Sequence, residues 1–218
     1  MIGLLMKDLL NMKRIGKQYL LVLAVMCVWS LWMKNSSFVS MYLVLCSSML
    51  VLSSFAYDEQ GQFDKYALTM PITRRTLVKA KYAMYLILVL GGMLFGILAG
   101  HGVGSIGRSS NVSQEGMTET GLAVGAVFLI VYGILIPVIY KIGVEKARLL
   151  MVGIYLALFG LIYGLIWLGK RRGLLVTVIG ISEQQLVRLA VLGLFFFAFI
   201  VVIVSYLVSV QIVEKKEF

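Results

Sequence analysis

Residues 102–109, which read GVGSIGRS, match two patterns that bind phosphate groups in other proteins. Gly102, Gly104 and Gly107 have the G-x-G-x-x-G spacing of dinucleotide sites, and the eight residues together mimic a P-loop with Arg108 in place of its lysine. Both patterns need a strand before them and a helix after them, because the phosphates rest on a helix N-terminus above a sheet. Here the stretch leaves a predicted transmembrane helix and enters a polar loop that we place outside. The sequence therefore predicts no nucleotide site in this chain.

Other residue types that perform chemistry are scarce. His101 is the only histidine, so a metal site with several histidine ligands is excluded. Cys27 and Cys46 lie in apolar segments without a second thiol at metal or redox spacing, and we interpret them as small apolar side chains. The chain has neither the H-E-x-x-H pattern of zinc enzymes nor the G-x-S-x-G pattern of hydrolases. We expect no catalytic, metal or cofactor site and no enzyme activity.

The densest group of functional side chains lies at 53–82, SSFAYDEQGQFDKYALTMPITRRTLVKAKY, between two apolar segments. Phe63, Tyr66 and Ala67 fall at i, i+3 and i+4, which is the spacing of one helical face. We therefore interpret YDEQGQFDKYALTM, residues 57–70, as a short helix with an aromatic face. Two interpretations stay open: the rings dip into lipid headgroups, or they fill a groove on a soluble partner.

Residues on either side of this aromatic face set the bounds of the predicted helix. Asp58 and Glu59 end the preceding apolar segment, and their negative charge favours the N-terminus of the short helix. Pro71 ends the short helix, because the residue before a proline avoids helical geometry. Thr73 is placed to cap the helix that follows.

Apolar helices must position this insert. The chain has 218 residues, of which 61% are hydrophobic and 14% charged, and its mean hydropathy is +0.97. A soluble domain is nearer half apolar and a quarter charged. Uncharged stretches of about 20 residues recur, and each is long enough to cross a hydrocarbon core of about 30 Å. The sequence predicts one all-α integral membrane domain over residues 1–218, with six transmembrane helices at approximately 18–33, 37–57, 82–100, 121–140, 149–168 and 189–210.

Basic residues predict the orientation of these spans, since Lys and Arg are retained on the cytoplasmic side. With the N-terminus inside, fourteen of the twenty Lys and Arg residues are cytoplasmic: four in 1–17, five in 58–81, three in 141–148 and two at 215–216. Both termini are then cytoplasmic, and 58–81 and 141–148 form the first and second cytoplasmic loops. We interpret the net charge of +10 as topology and attraction to anionic lipid, not as nucleic-acid binding.

The first 17 residues are amphipathic. Leu9 and Met12 fall on an apolar helical face, while Lys7 and Asp8 fall on the opposite, polar face. A basic helix of this kind next to a span should lie flat in the inner headgroup layer. The alternative is a basic flank that serves only to set topology.

A second basic cluster, GKRRG at 169–173, lies outside in this scheme. The apolar stretch that follows it is too short to cross the membrane. We interpret 170–188 as an external loop that contains a re-entrant or interfacial segment, and a different pairing of spans is the alternative.

Small residues at every fourth position mark two of the predicted spans. Such spacing lets helix backbones approach closely in lipid. Packing within the chain and pairing of subunits both fit the pattern, with the former favoured. The glycines concerned are Gly92, Gly96, Gly100 and Gly104 in the third span, and Gly160 and Gly164 in the fifth.

The insert resembles the first cytoplasmic loop of type-2 ABC exporter permeases, in particular the small permeases that include bacterial peptide-toxin and bacteriocin exporters. That loop reads Asp-Glu, then Phe and Tyr, then an LPxSR turn into the third span; here Met70 and Thr73 replace the usual Leu and Ser. The stretch LLMKDLLNMKR resembles the family's interfacial helix, and the six-span plan covers the whole chain. The matching residues are Asp58, Glu59, Phe63, Tyr66, Pro71, Thr73, Arg74, Lys81 and Tyr82.

The resemblance implies the type-2 ABC exporter fold, a dimer of permeases, and a separate ATP-binding subunit that grips a coupling helix in the first cytoplasmic loop. This chain would bind no cofactor itself, and ATP with magnesium would be bound by the partner. The second cytoplasmic loop would make a lesser contact. The residues implied are Asp58, Glu59, Gln62, Phe63, Asp64, Lys65, Tyr66, Pro71, Arg74 and Arg75 in the first loop, and Lys141, Glu145, Lys146 and Arg148 in the second.

The predicted function is export of a hydrophobic or amphipathic substrate, such as a peptide toxin, an antimicrobial peptide or a drug, across a bacterial cell membrane. No ionisable residue lies deep in any span. Since such groups normally mark ion or proton paths, their absence argues against a proton-coupled transporter. The alternative function is a non-transporting immunity or sensory membrane protein that docks a cytoplasmic partner.

Overall fold

A computed structural model describes residues 2–33, 37–69, 73–107, 114–172 and 183–215, and all regular structure within these ranges is α-helical. The predicted all-α class is therefore confirmed. The helices are α1 (Ile2–Met33), α2 (Ser37–Gln60), α3 (Phe63–Leu68), α4 (Arg74–Gly107), α5 (Gln114–Ile142), α6 (Val144–Arg172) and α7 (Glu183–Lys215).

Within the described ranges, four helices are long and apolar enough to cross a membrane, and each contains one of the predicted spans. The candidate spans are Ser37–Gln60 in α2, Arg74–Ser105 in α4, Thr118–Ile142 in α5 and Val187–Lys215 in α7. Helix α1 bends by 62° between Gly3–Lys13 and Gln18–Met33, and this bent pair counts as a possible fifth span. The predicted span 149–168 lies inside α6, which is about 43 Å long at 1.5 Å per residue. The six-span plan stays a prediction.

Helix α4 extends further than predicted. Its backbone stays helical through Gly102 and Gly104 to Gly107, so the expected polar loop does not begin at this stretch. The hydroxyl of Ser105 donates to the carbonyl oxygen of His101 at 2.8 Å, one turn back in the same helix. Glycine lowers helix propensity without removing the backbone donors that a helix needs. Because this segment is a continuous helix, the strand–loop–helix arrangement of a phosphate site is not formed here.

Helix α5 is the centre of the bundle. Its side chains at Leu129, Tyr132, Leu135 and Ile136 are fully buried. Helix α5 packs most extensively on α7. Helix α2 packs on α4, and α1 lies against both α2 and α4. Since lipid tails are as apolar as these side chains, close packing and hydrogen bonds between helices must hold such a bundle together.

Two glycines of the predicted stripe bring α4 close to α2. The Ser40 hydroxyl donates to the carbonyl oxygen of Gly96 at 2.8 Å, and a Cβ at Gly96 would lie 2.9 Å from the Ser40 carbonyl oxygen. Gly92 also faces α2, and a side chain there would overlap Ser47. These two positions pack against α2 within the chain.

The other glycines of the pattern differ from one another. Gly100 is buried and Gly104 is half-buried. Gly160 and Gly164 in α6 have no atom within 4 Å of the position that a Cβ would take. These two therefore lie on a face of α6 that no other described part of the chain covers.

Candidate functional site at the loop end of the bundle

Residues 58–69, 73–81 and 141–148 meet at one end of the bundle, here termed the loop end. The meeting follows from contacts between residues far apart in the chain, such as Glu59 with Val144 and Asp58 with Lys81. The predicted first and second cytoplasmic loops thus form one continuous region.

The short helix is present as α3 but is shorter than the predicted 57–70, because the residues before the left-handed turn at Gln62 belong to α2. Gln62 has φ of +46°, a conformation that side chains with a Cβ adopt only at a cost. The N–H of Gly61 donates to the carbonyl oxygen of Tyr57 at 2.9 Å, which closes the last turn of α2. On α3 itself Ala67 is fully buried, while Tyr66 is 60% exposed. The helix is therefore seated through Ala67 and presents Tyr66 outward.

Phe63 is half-buried, and its ring lies 6.4 Å from that of Tyr66. The ammonium of Lys7 lies over the Phe63 ring, 3.5 Å from its centroid. A cation over an aromatic face is attracted by the ring quadrupole. Of the two aromatic side chains predicted as anchors, Phe63 is thus engaged within the chain and Tyr66 is the exposed one.

Asp58 belongs to an ionic ring of two carboxylates and two ammonium groups, formed by Lys7, Asp8, Asp58 and Lys81. The Lys7 nitrogen lies 2.5 Å from Asp58 and 3.1 Å from Asp8, and the Lys81 nitrogen lies 2.6 Å from Asp58 and 3.0 Å from Asp8. Lys81 also donates to the hydroxyl of Ser54 at 2.7 Å. The two carboxylate side chains are only 3% and 8% exposed. Asp58 was predicted to support the short helix, and it instead ties α2 to α1 and α4.

Glu59 was also predicted to favour the N-terminus of the short helix, and it instead caps α6. Its carboxylate accepts a hydrogen bond from the N–H of Val144 at 2.6 Å. The first N–H groups of a helix have no partner within the helix, and an acidic side chain there satisfies one and complements the helix dipole. This bond joins the two predicted cytoplasmic loops directly.

Gly143 makes this contact possible. It has φ of +87°, its N–H donates to the carbonyl oxygen of Ile139 at 2.9 Å, and its own carbonyl oxygen accepts from Ala147 at 3.2 Å. The residue thus ends α5 in a left-handed cap and begins α6. A Cβ at Gly143 would lie 2.6 Å from a carboxylate oxygen of Glu59. Both the backbone conformation and the space therefore call for glycine.

The N-terminus of α4 is held by its own cap and by the C-terminus of α7. The N–H of Thr76 donates to the hydroxyl of Thr73 at 3.3 Å, which confirms the predicted cap. The guanidinium of Arg74 donates to the carbonyl oxygens of Val213 at 3.2 Å and Glu214 at 2.9 Å. Arg75 forms an ion pair with the Glu214 carboxylate at 2.5 Å. These two arginines thus contact α7.

Several other predicted site residues lie on the surface of the loop end. A groove of about 140 Å³ separates the end of α2 from the start of α6. It is lined by Ala56, Glu59, Gln60, Val144, Glu145 and Arg148. Lys141 and Lys146 are also exposed. The side chains of Asp64 and Lys65, and residue Pro71, fall outside the described part of the molecule.

Sequence reasoning missed Asp8, Ser54, Gly143 and Glu214 as parts of this region. Two of them carried a usable signal. Asp8 is the only acidic residue in the basic segment 1–17, and Gly143 stands between two apolar segments where a helix C-cap is common. The charged groups of the loop end join α1, α2, α4 and α6 to one another, so the arrangement can transmit movement between these helices.

A protein-family model described as ABC-2 family transporter protein matches residues 3–214 of this chain. The chain belongs to the ABC-2 transporter family. No curated protein matches it significantly. As an ABC-2 family member it is a membrane permease component of an ABC transporter, a class that has no ATPase site of its own and works with an ATP-binding partner subunit. The apolar helices of this permease agree with a multi-pass membrane protein.

Proposed function

We propose that this ABC-2 permease forms the membrane path of an ATP-driven exporter and that a separate ATP-binding subunit docks on its loop end. The observation that carries the proposal is the position of Tyr66, whose side chain is 60% exposed while its neighbour Ala67 is fully buried. The ring therefore projects from a seated helix. Tyrosines presented in this way are typical anchors in protein interfaces.

The surroundings of Tyr66 suit a docking surface. Exposed polar side chains at Gln60, Glu145 and Arg148 lie at the same end of the bundle. A rim of polar groups around an aromatic anchor is the usual anatomy of a protein interface. Since Glu59 bonds to Val144, both predicted loops would move together when a partner presses on either one.

In this proposal, closure of the ATP-binding subunits presses on residues 58–69. Helix α3 transmits the movement to α2, on which it packs, and α2 passes it to α6 through the Glu59–Val144 bond. Helix α2 packs on α4 and α5, so the displacement reaches the centre of the bundle. The loop end would then be cytoplasmic, in keeping with the excess of Lys and Arg at 1–17, 58–81 and 141–148.

We further propose that both termini are cytoplasmic, that six spans cross a bacterial cell membrane, and that two copies or two related chains pair. The face of α6 that contains Gly160 and Gly164 has open space and exposes Leu156, Phe159 and Tyr163. A second permease is one partner that such a face would accept. The exported substrate would be hydrophobic or amphipathic, such as a peptide toxin, an antimicrobial peptide or a drug.

The test compares Tyr66→Asp with Tyr66→Phe in tagged permease purified from its native membrane. Loss of an anchoring side chain typically weakens an interface by about 2 kcal/mol, or roughly 30-fold. We expect Tyr66→Asp to lose the co-purified ATP hydrolysis and ATP-driven substrate transport in vesicles, while its insertion and helix content stay normal. Tyr66→Phe keeps the ring and should retain both activities.

Two outcomes would contradict the proposal. One is co-purified ATP hydrolysis that is unchanged in Tyr66→Asp, because the partner would then dock elsewhere. The other is protease or labelling data that place Tyr66 on the external face of the membrane, where no ATP-binding subunit could reach it.

A further inference from the structure

In the N-terminal part of α1, the buried and exposed sides do not match the polar and apolar faces that the sequence predicts. Asp8 and Met12 are 3% and 7% exposed, whereas Met6 and Leu10 are 57% and 59% exposed. A headgroup helix normally turns its charges to water and its apolar side to lipid. Here Asp8 faces the rest of the chain together with the apolar Met12, while Met6 and Leu10 are left exposed on the other side. The segment is thus fastened to the protein by charges, and the lipid-compatible side is still available to the membrane.

The ionic ring is what fastens it. Asp8 and Lys7 contribute one carboxylate and one ammonium from α1, and Asp58 and Lys81 contribute the same from α2 and α4. All four neighbouring pairs lie between 2.5 and 3.1 Å, so each charge has two opposite charges beside it. The group as a whole carries no net charge, which is the condition under which buried ions are tolerated.

Such a ring is better suited to fixing an orientation than to adding stability. Apolar side chains of similar volume often replace a buried ion group without loss of stability, whereas removal of one member leaves an uncompensated charge. An apolar contact is also non-directional, and it would let a helix slide along its neighbours. Two contacts of the ring are directional hydrogen bonds, from Lys7 to Asp58 and from Lys81 to Asp8, and they favour one position of α1 relative to α2 and α4.

Lys7 extends the ring to α3. Its ammonium contacts Asp58 at 2.5 Å and lies 3.5 Å from the centroid of the Phe63 ring. Phe63 is the first residue of the helix that presents Tyr66. Lys7 therefore touches both the ionic ring and the helix that the proposed partner would press.

We propose that the ionic ring makes the N-terminal segment 2–13 and α3 move as one body, and that Lys7 is the positioning residue of this link. This inference rests on the proposed function in one respect: the movement is imposed by an ATP-binding subunit at Tyr66. A push on α3 is then delivered to a helix at the membrane surface, as well as to α2 and α6.

The first experiment measures the link without any partner. Spin labels are placed at the exposed positions Leu10→Cys and Thr69→Cys in a chain whose two native cysteines are replaced by alanine, and the distance distribution is recorded in lipid nanodiscs. We expect a narrow distribution for the parent and a distribution about twice as broad for Lys7→Met, since a broken constraint lets the two helices move independently. Lys13→Met, an exposed lysine on the same segment, is the matched control and should leave the distribution unchanged.

Lys81 gives a second, stricter comparison. Lys81→Met should broaden the Leu10–Thr69 distribution, because it removes one ammonium group from the two buried carboxylates of the ring. Lys79→Met is the exposed control on α4. If Lys81→Met does not fold, the double variant Lys7→Met with Asp8→Asn serves instead, because it keeps the ring neutral while removing its α1 half.

The second experiment measures transport per ATP hydrolysed in vesicles that contain the complex purified from native membrane. Coupling energies between sites usually correspond to 5-fold or larger effects, so we expect Lys7→Met to lower this ratio roughly 5-fold and Lys13→Met to leave it unchanged. A purely structural role would change the melting temperature but not this ratio.

An unaltered distance distribution in Lys7→Met would overturn the link, and a broadened distribution with an unaltered ratio would overturn its part in transport. Absence of any co-purified ATPase would overturn the proposed function, while the distance comparison would still decide the link.

Discussion

The bond between Glu59 and Val144 can be tested through the glycine beside it. In Gly143→Ala the new methyl group would lie 2.6 Å from a carboxylate oxygen of Glu59, and the residue would have to keep φ of +87°. The carboxylate must then move, and the N–H of Val144 loses its partner. The substitution therefore attacks the contact between the two loops without removing any charge.

The expected cost has two parts. A left-handed backbone at a residue with a Cβ costs about 1–2 kcal/mol. A hydrogen bond to a charged group contributes about 1.5–3 kcal/mol, and the lower figure applies because Glu59 is largely exposed. Gly143→Ala should then destabilise the chain by about 2.5–3.5 kcal/mol. In a Glu59→Ala background only the backbone part is left, so the same substitution should cost about 1–2 kcal/mol.

The assay is a double-mutant cycle on unfolding in nanodiscs, followed by tryptophan fluorescence, with hydrogen exchange read at 139–148. The control is Gly153→Ala, which lies in α6 with no atom within 4 Å of the added carbon and should be neutral or stabilising. We expect a coupling energy of about 1.5 kcal/mol between positions 59 and 143. If Gly143→Ala costs the same with and without the Glu59 carboxylate, the two loops are not joined in the way described.

Two further substitutions test the packing and the turn. Gly96→Ala should lower the free energy of unfolding by about 1–3 kcal/mol, because the added carbon would lie 2.9 Å from the Ser40 carbonyl oxygen. The control, Gly91→Ala on the same helix, has open space and should leave the stability unchanged. Equal melting temperatures for the two variants would contradict the close contact of α2 with α4. Gln62→Gly should relieve the left-handed strain at φ of +46° and raise the free energy of unfolding by about 0.5–1 kcal/mol, seen as a higher melting temperature. A lower melting temperature would mean that the Gln62 side chain makes a contact that stabilises the chain by more than the strain destabilises it.

Features that depend on neighbouring residues were predicted correctly. The cap at Thr73 follows from local hydrogen bonding, and the presence of a short helix, though not its bounds, follows from i, i+3 spacing. Four of the predicted spans follow from runs of apolar residues long enough for a bilayer. The family was suggested by a local motif and is shown by a match over residues 3–214.

The contact partners of the charged side chains could not be predicted from neighbouring residues. Lys7 and Asp58 are 51 residues apart in the chain, and Glu59 and Val144 are 85 apart. Helical periodicity assigns a side chain to a face of its own helix, but it does not identify the helix that this face will meet. Periodicity therefore placed Asp8 on the polar, water-facing side of a surface helix. In the structure its side chain is only 3% exposed.

The amino-acid sequence alone determined that this is a helical membrane protein with a polar insert after its second apolar segment, because hydropathy and helix-end chemistry act over one or two turns. Only the tertiary structure decided which side chains of that insert make contacts within the chain and which stay exposed. Asp58, Glu59 and Phe63 are engaged within the chain, and Tyr66 is exposed. The physical reason is that a charge or ring can be satisfied by any complementary group nearby, and only folding brings one such group within reach.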